Sequence, residues 1–354
     1  MRQMFKSFCI IGGGLLSLII ILDFVELINR TGDVDISINN LLYLQFLKTF
    51  DLIHSLFPYM TIFSMMHAFY TLNSDKEITV ARSTGISGMQ ITLPAIFFAF
   101  NMGLFQTFAL NHLSVTTYNQ YQSVLDENKN NIETVLDISS TGLWLREGAK
   151  HGYRVINGSS YTKSPFTISD VNVLELSFEN KFIKSYSADE MTLMDNQWVM
   201  KNSYSISHNN EVDFKKKLHI ETKTTYSSLK NVFKVPNSIS FWHLPKQIRN
   251  LDSMGLNTTQ HIYMFNFLLS MPLLYMGLAM LASFFTGRPY ARQQKTKSAL
   301  IGLSTAFILF FYLNLIQSIV DILPLSPALV SWIPAITIFI LGIYLMLNSE
   351  KVSG

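Results

Sequence analysis

Charge is scarce in this chain of 354 residues. Asp, Glu, Lys and Arg make up 14% of it, where an ordinary soluble domain carries about a quarter. The single cysteine, Cys9, lies in an apolar run. No intramolecular disulfide can form from it, and no cysteine-based metal site is available. There is no Gly-rich Walker loop, so the chain is not expected to hydrolyse ATP itself. A His-Glu-x-x-His run is also absent, and no nucleophile-elbow motif frames a serine. His54 and His67 are thirteen positions apart, about 20 Å along a helix axis, too far to share a metal. The net charge of +3 is too small and too scattered for a nucleic-acid binder. Disorder is excluded by abundance, since the chain holds 27 Phe and 15 Tyr. The sequence therefore points to no catalytic residue, no metal ligand and no cofactor.

The charge that is present is unevenly placed. Residues 114–260 hold 31 of the 51 Asp, Glu, Lys and Arg. That split predicts a polar insert between two membrane-embedded ends. A helix needs about 20 apolar residues to cross a bilayer core. Six stretches qualify: 7–28, 52–72, 89–115, 261–285, 298–320 and 322–347. The last two are parted by Asp321-Ile322-Leu323-Pro324, read as a tight hairpin. The first stretch follows Arg2 and Lys6 but has no small-residue cleavage site after it, so a retained helix is expected.

Lysine and arginine in the short loops set orientation. Arg2, Lys6, Lys76, Arg82, Arg288, Arg292, Lys295, Lys297 and Lys351 fall on one side, and Arg30 and Lys48 on the other. This asymmetry puts both termini in the cytoplasm and the insert outside. The insert, 116–259, reads as β. Its short β-branched and aromatic runs include 142–146, 153–156, 171–178, 182–186, 191–193, 197–200 and 218–222, with turns expected at Glu147-Gly148 and Glu179-Asn180. Many short strands at this spacing suggest a sandwich, jelly roll or partly open barrel. A short helix over 241–254 would return the chain to the membrane. The predicted fold is thus a six-helix membrane protein, three and three, with an inserted all-β domain. Its parts are helices 1–115, the insert 116–259 and helices 260–354.

Three polar or aromatic features carry functional readings. Asp23 and Glu26 share a face near the end of the first span, and Arg30 lies four residues beyond Glu26. Carboxylates there face protein or water. They read either as a paired helix end or as a charged rim for a ligand or partner helix. Second, the loop around 74–86 reads as a short amphipathic helix ending at Gly85. Ser74 and Glu77 form a capping-box pattern, Ile78 and Ala81 an apolar edge, and Glu77 and Arg82 flank it. It is either a plain connector or a docking element. Third, Phe307, Phe310, Phe311 and Tyr312 crowd the fifth span, as packing or as the wall of an acyl-chain cavity.

Taken together, these pieces resemble the lipopolysaccharide-export permeases of the LptF/LptG (YjgP/YjgQ) family, over nearly the whole chain. The resemblance rests on Leu22-Asp23-Phe24-Val25-Glu26-Leu27 with Arg30, on Glu77-Ile78-Thr79-Val80-Ala81-Arg82-Ser83-Thr84-Gly85-Ile86-Ser87, and on Gly142-Leu143-Trp144. It continues in Ser238-Ile239-Ser240-Phe241-Trp242 and Ser331-Trp332-Ile333-Pro334. The opening acidic motif and the Gly-Leu-Trp strand look more like LptG than LptF.

The resemblance implies a subunit of an ATP-driven exporter in the bacterial inner membrane, with a jelly-roll-like β domain in the periplasm. It implies an LptF-like partner in a heterodimer, an LptB-like ATPase dimer beneath, and an LptC-like single-helix protein leading to a periplasmic bridge. Lipopolysaccharide would be the cargo. Glu77, Ile78, Ala81, Arg82 and Gly85 would lie in the ATPase-coupling helix, with Glu77 the acid that meets the ATPase. Arg30 would meet anionic head groups, and Phe307, Phe310 and Phe311 acyl chains. Asp23 departs from the basic residue that some LptG proteins carry there. Extraction of a lipid from a bilayer exposes apolar surface at roughly 25 cal/mol per Å², so it needs an outside energy source. Two other readings stand beside this one: the LptF-like position in the same exporter, and a membrane-anchored periplasmic binding or assembly protein that transports nothing. A membrane enzyme acting on envelope lipids would need a cluster of polar catalytic groups near one interface, and none can be assembled.

Overall fold

The computed structural model describes residues 1–31, 37–128, 143–149, 152–163, 165–177, 181–194, 197–207, 212–222, 236–253, 257–286, 295–320 and 325–353. Within these, the side chains of Arg30, Thr31 and residues 126–128, 143, 144, 146, 149, 163, 253, 295–299, 302 and 349–353 lie outside the description. The chain divides into two compact units. One is 1–128, 236–245 and 259–354; the other is 129–235 and 246–258.

The first unit is helical. Its elements are α1 (Arg2–Thr31), α2 (Ile38–Ser74), α3 (Glu77–Ser83) and α4 (Gly88–Phe105), a π-helical turn (Gln106–Leu110), and α5 (Asn111–Asn128). A 3₁₀ turn (Pro236–Ser238) precedes α6 (Leu244–Ser253), which crosses the boundary between the units. Then come α7 (Thr259–Thr286), α8 (Lys295–Ile319) and α9 (Pro327–Ser353). Among the described residues, four stretches are long and apolar enough to cross a membrane: Arg2–Asn29, Gly88–Leu125, Thr259–Thr286 and Pro327–Asn348. Leu303–Ile319 is a shorter apolar helix. The second expected span falls within α2, where His54, Pro58, Tyr59 and His67 dilute the apolar run.

Helices α2, α4 and α7 enclose the main apolar core. Phe57, Met65 and Phe69 meet Phe98 and Ala99 from α4 and Tyr275 and Leu278 from α7. The helices come close because small residues allow it. A Cβ on Gly277 of α7 would sit 2.8 Å from the Phe339 backbone nitrogen of α9, and one on Gly342 would sit 3.2 Å from the Gly277 carbonyl oxygen.

The second unit carries seven described strands in one antiparallel sheet. They are β1 (Leu143–Ala149), β2 (Gly152–Gly158), β3 (Ser160–Lys163), β4 (Phe166–Ser177), β5 (Phe182–Met194), β6 (Gln197–Ser207) and β7 (Val212–Glu221). The order is β1-β2-β4-β5-β6-β7, and β3 pairs with β4 beyond the end of β2. Neighbours in the sheet are thus near-neighbours in the chain, as in a meander. Alternation puts Ile156, Ile168, Val173, Met191, Trp198 and Met200 into one core.

The sheet curls on itself, because strands at its two ends share a buried polar cluster. The Glu147 carboxylate on β1 accepts from Trp198 Nε1 on β6 at 3.1 Å and from Thr222, just past β7, at 2.6 Å. Arg154 on β2 donates to Glu147 at 3.4 Å, to Glu175 on β4 at 3.5 Å and to the Glu221 carbonyl at 2.9 Å. Tyr186 donates to Glu175 at 3.4 Å. Burial, with the Glu175 carboxylate beside it, pushes the Tyr186 hydroxyl above its ordinary value.

Several boundaries differ from the sequence reading. The helical unit continues past residue 115 to Asn128, because Tyr121 packs with Leu27, Leu44 and Leu47. It also includes 236–245, so the β unit is shorter than 116–259. Glu147 and Gly148 are not a turn: both lie in β1 and pair with Arg154 and Tyr153 of β2, and the Glu147 carboxylate is buried. The runs 182–186 and 191–193 belong to one strand, β5. The turn at 179–180 and the hairpin at 321–324 lie outside the described residues, as does Gly142.

Placing a methyl group between α7 and α9 tests the helix packing. Gly277→Ala should lower the stability of the helical unit by about 1–3 kcal/mol, since backbone rather than a flexible side chain is in the way. Thermal unfolding in detergent measures this. Gly13→Ala, with open space around its Cβ, is the control.

Candidate functional site

The loop helix α3 is built by the turns at its ends. At its start the chain reverses over Asp75 and Lys76, and Lys76 adopts a left-handed conformation with φ 59°. Ser74 is therefore not a cap: it is the last helical residue of α2, and α3 has no side-chain cap bond. The capping box lies one loop later. Ser87 accepts from the Gln90 backbone at 3.2 Å, and Gln90 Oε1 accepts from the Ser87 backbone at 3.0 Å, opening α4. The far end of α3 is a Schellman motif. The Ile86 N–H donates to the Ala81 carbonyl, and the Gly85 N–H donates to the Arg82 carbonyl. Gly85 has φ +86°, a left-handed position that glycine adopts at little cost.

These turns decide which side of α3 is presented. Ile78 is buried in the main helical core, and Ala81 and Arg82 are half-buried. The apolar edge expected from Ile78 and Ala81 therefore faces inward. It anchors the helix on α2 and α4, because a seven-residue helix has no other apolar grip. Outside stand Glu77, Val80 and Ile86, all exposed. Glu77 and Val80 are three apart and share a face. The exposed surface thus pairs one carboxylate with two branched aliphatic side chains, as a protein partner would use it. The exposure of Val80 and Ile86 is not legible in the sequence, because the pattern does not say which edge of so short a helix is covered.

At the acidic end of α1 the structure describes a partner for Asp23. Lys48 Nζ of α2 donates to Asp23 Oδ1 at 2.5 Å, with side-chain exposures of 16% and 9%. Lys48 also lies 5.8 Å from the centroid of the Tyr121 ring on α5, a cation–π contact. Glu26 is near enough to act on Lys48 electrostatically, as is Asp51, which accepts from Ser114 of α5 at 3.2 Å. So α1, α2 and α5 meet through one lysine and its carboxylates. The sequence reading weighed Arg30 as the cation for this end. The Arg30 side chain lies outside the described residues. A lone lysine just before the apolar run of α2 was the available signal for Lys48.

Phe307, Phe310 and Phe311 of α8 are all exposed and form one aromatic surface. Ring centroids of Phe307 and Phe311 are 4.6 Å apart, and Tyr59 of α2 reaches Phe310 at 6.2 Å. Tyr312 turns away from them and bonds Thr337 of α9 at 2.8 Å. Among the described residues no three His, Cys, Asp or Glu side chains are grouped as a metal site would require.

The model of the family described as lipopolysaccharide export system permease LptF/LptG matches residues 1–348. No curated protein matches the chain.

The Asp23–Lys48 pair should behave as a partly buried ion pair. Lys48→Met strands the Asp23 carboxylate and should cost about 3 kcal/mol or more, whereas the double variant Asp23→Asn/Lys48→Met should recover much of that loss. Unfolding of the four members of this cycle gives the coupling energy directly.

Proposed function

This chain belongs to the LptF/LptG family of lipopolysaccharide export permeases, and from that premise we propose that it is the LptG-like subunit of an ATP-driven lipopolysaccharide exporter in the bacterial inner membrane. The family match across 1–348 carries this reading. The LptG-like assignment is supported by Asp23-Phe24-Val25-Glu26 and Gly142-Leu143-Trp144. An LptF-like permease would complete the membrane channel as a heterodimer. An LptB-like ATPase dimer would supply the energy, since this chain carries no Walker loop. An LptC-like single-helix protein would receive the lipid for the periplasmic bridge.

In this reading α3 is the coupling element. Glu77, Val80 and Ile86 form the surface offered to the ATPase, while Ile78 ties the helix to the core. Closure of the ATPase then displaces α3 and, through the short turns at its ends, α2 and α4. Gly85 keeps the second of those turns tight. Asp23, Glu26 and Lys48 form a charged boundary near the far end of α1, where lipid phosphates would pass. Phe307, Phe310 and Phe311 would face acyl chains. The lysine and arginine asymmetry supports both termini in the cytoplasm and the β unit in the periplasm.

Two experiments test this. A reporter active only in the periplasm should be active when fused after Gly158 and silent when fused after Gly287; the opposite pattern reverses the topology. Glu77→Lys should weaken binding of the ATPase about tenfold or more by setting like charges together. The fold should survive, because a surface change of this kind costs within about 0.5 kcal/mol. Co-purification of the ATPase and its stimulated turnover are the measurements. Normal assembly and transport by this variant would remove Glu77 from the coupling role.

A further inference from the structure

Four of the described helices hold an internal proline, Pro58 in α2, Pro94 in α4, Pro272 in α7 and Pro334 in α9, and two of these breaks meet at one turn. Pro58 in α2 has no N–H to offer the His54 carbonyl, and Pro272 in α7 has none for the Leu268 carbonyl. In apolar surroundings a carbonyl without a donor is costly. Both are satisfied, and by adjacent residues of one turn. Gln106 Nε2 donates to the His54 carbonyl at 3.0 Å. Thr107 Oγ1 donates to the Leu268 carbonyl at 2.7 Å. Gln106 and Thr107 open the π-helical turn and are each 1% exposed. The other end of the Gln106 amide accepts from the Tyr275 hydroxyl of α7. One turn earlier, a Cβ on Gly103 would lie 2.5 Å from Pro272 Cα, so α4 rests directly on the break in α7.

The same turn is held from its other side by the segment that follows the β unit in the chain. Trp242 Nε1 donates to the Phe108 carbonyl, inside the π-turn, at 3.0 Å. The Phe241 N–H donates to Asn111 Oδ1 at 2.7 Å. The Phe108 ring packs on those of Phe241 and Trp242, with centroids 5.3 and 5.4 Å away. Farther along α5, Asn119 donates to the Ser238 carbonyl at 3.2 Å. The motif running from Ser238 to Trp242 is thus a brace on the π-turn.

We propose that the turn Gln106–Leu110 is a clasp: Gln106 and Thr107 are positioning residues that bind the proline breaks of α2 and α7 into one joint with the brace 238–242. A helix bends most readily where a proline has removed its ladder bond. Donors from one shared turn make the two soft points move together. α2 ends at α3, so the clasp carries a displacement of α3 to α7 and to the brace. What is transmitted rests on the transporter reading above; the joint itself does not.

Gln106→Leu and Thr107→Val remove the donors while keeping nearly the same volume. In the assembled exporter, each should leave ATP turnover near the wild-type rate and lower lipopolysaccharide release roughly tenfold, about the loss of one hydrogen bond to a buried group. Pro58→Ala separates a joint from a mere repair, because an alanine there supplies its own N–H to the His54 carbonyl. In the Pro58→Ala background, Gln106→Leu should regain melting temperature but not lipid release. Normal release by both single variants, or full rescue of release by Pro58→Ala, overturns the proposal. A wild-type complex that moves no lipid refutes the transporter reading instead. The clasp is then judged on unfolding alone: the melting-temperature loss of Gln106→Leu must shrink in the Pro58→Ala background, and an undiminished loss overturns it.

Discussion

A backbone carbonyl inside an apolar helix bundle has no water to turn to, and much of this protein is arranged around that fact. Prolines at 58 and 272 take away two ladder bonds in helices at the centre of the core. The repair comes from a third helix, which widens into a π-turn and spends two polar side chains on the gaps. Because the donors are neighbours in sequence, the repair also links α2 to α7. The close approach of Gly103 to Pro272 belongs to the same solution, since the donors must be brought within hydrogen-bond reach. The brace from Ser238 to Trp242 then holds the carbonyl within the π-turn itself.

Charge follows a similar economy. In the helical unit, Lys48 gathers Asp23 from α1 and lies over Tyr121 from α5. In the β unit, Arg154 stands between Glu147 and Glu175, and Glu147 also receives Trp198 and Thr222. Each cluster joins elements distant in the chain. Desolvation makes the loss of one partner expensive, so these pairs constrain which elements meet more than they add to stability. The exposed Glu77, by contrast, belongs to no such cluster among the described residues.

The helical spans, the β insert and the candidate loop helix were legible in the sequence because each has a local signature: apolar length, alternation of period two, and a short amphipathic run closed by glycine. The family resemblance was legible for the same reason, being carried by contiguous motifs. Local pattern also misled at identifiable places. Ser74 and Glu77 fit a capping box, yet Ser74 is helical because α2 runs through it and the chain turns only at Asp75 and Lys76. Glu147-Gly148 resembles a turn, yet both residues pair with β2, and Trp198 and Thr222 bond the buried Glu147 carboxylate.

By itself, then, the sequence determined the kind of most elements, the division into apolar ends and polar middle, and the motifs of the family. Only the tertiary structure decided which groups meet. Lys48 lies 25 positions from Asp23, Gln106 lies 52 from His54, and Thr107 lies 161 from Leu268. No periodicity encodes such distances. They follow from helix packing, where the need to satisfy a stranded carbonyl or a buried charge selects one arrangement among many that bury the same apolar surface.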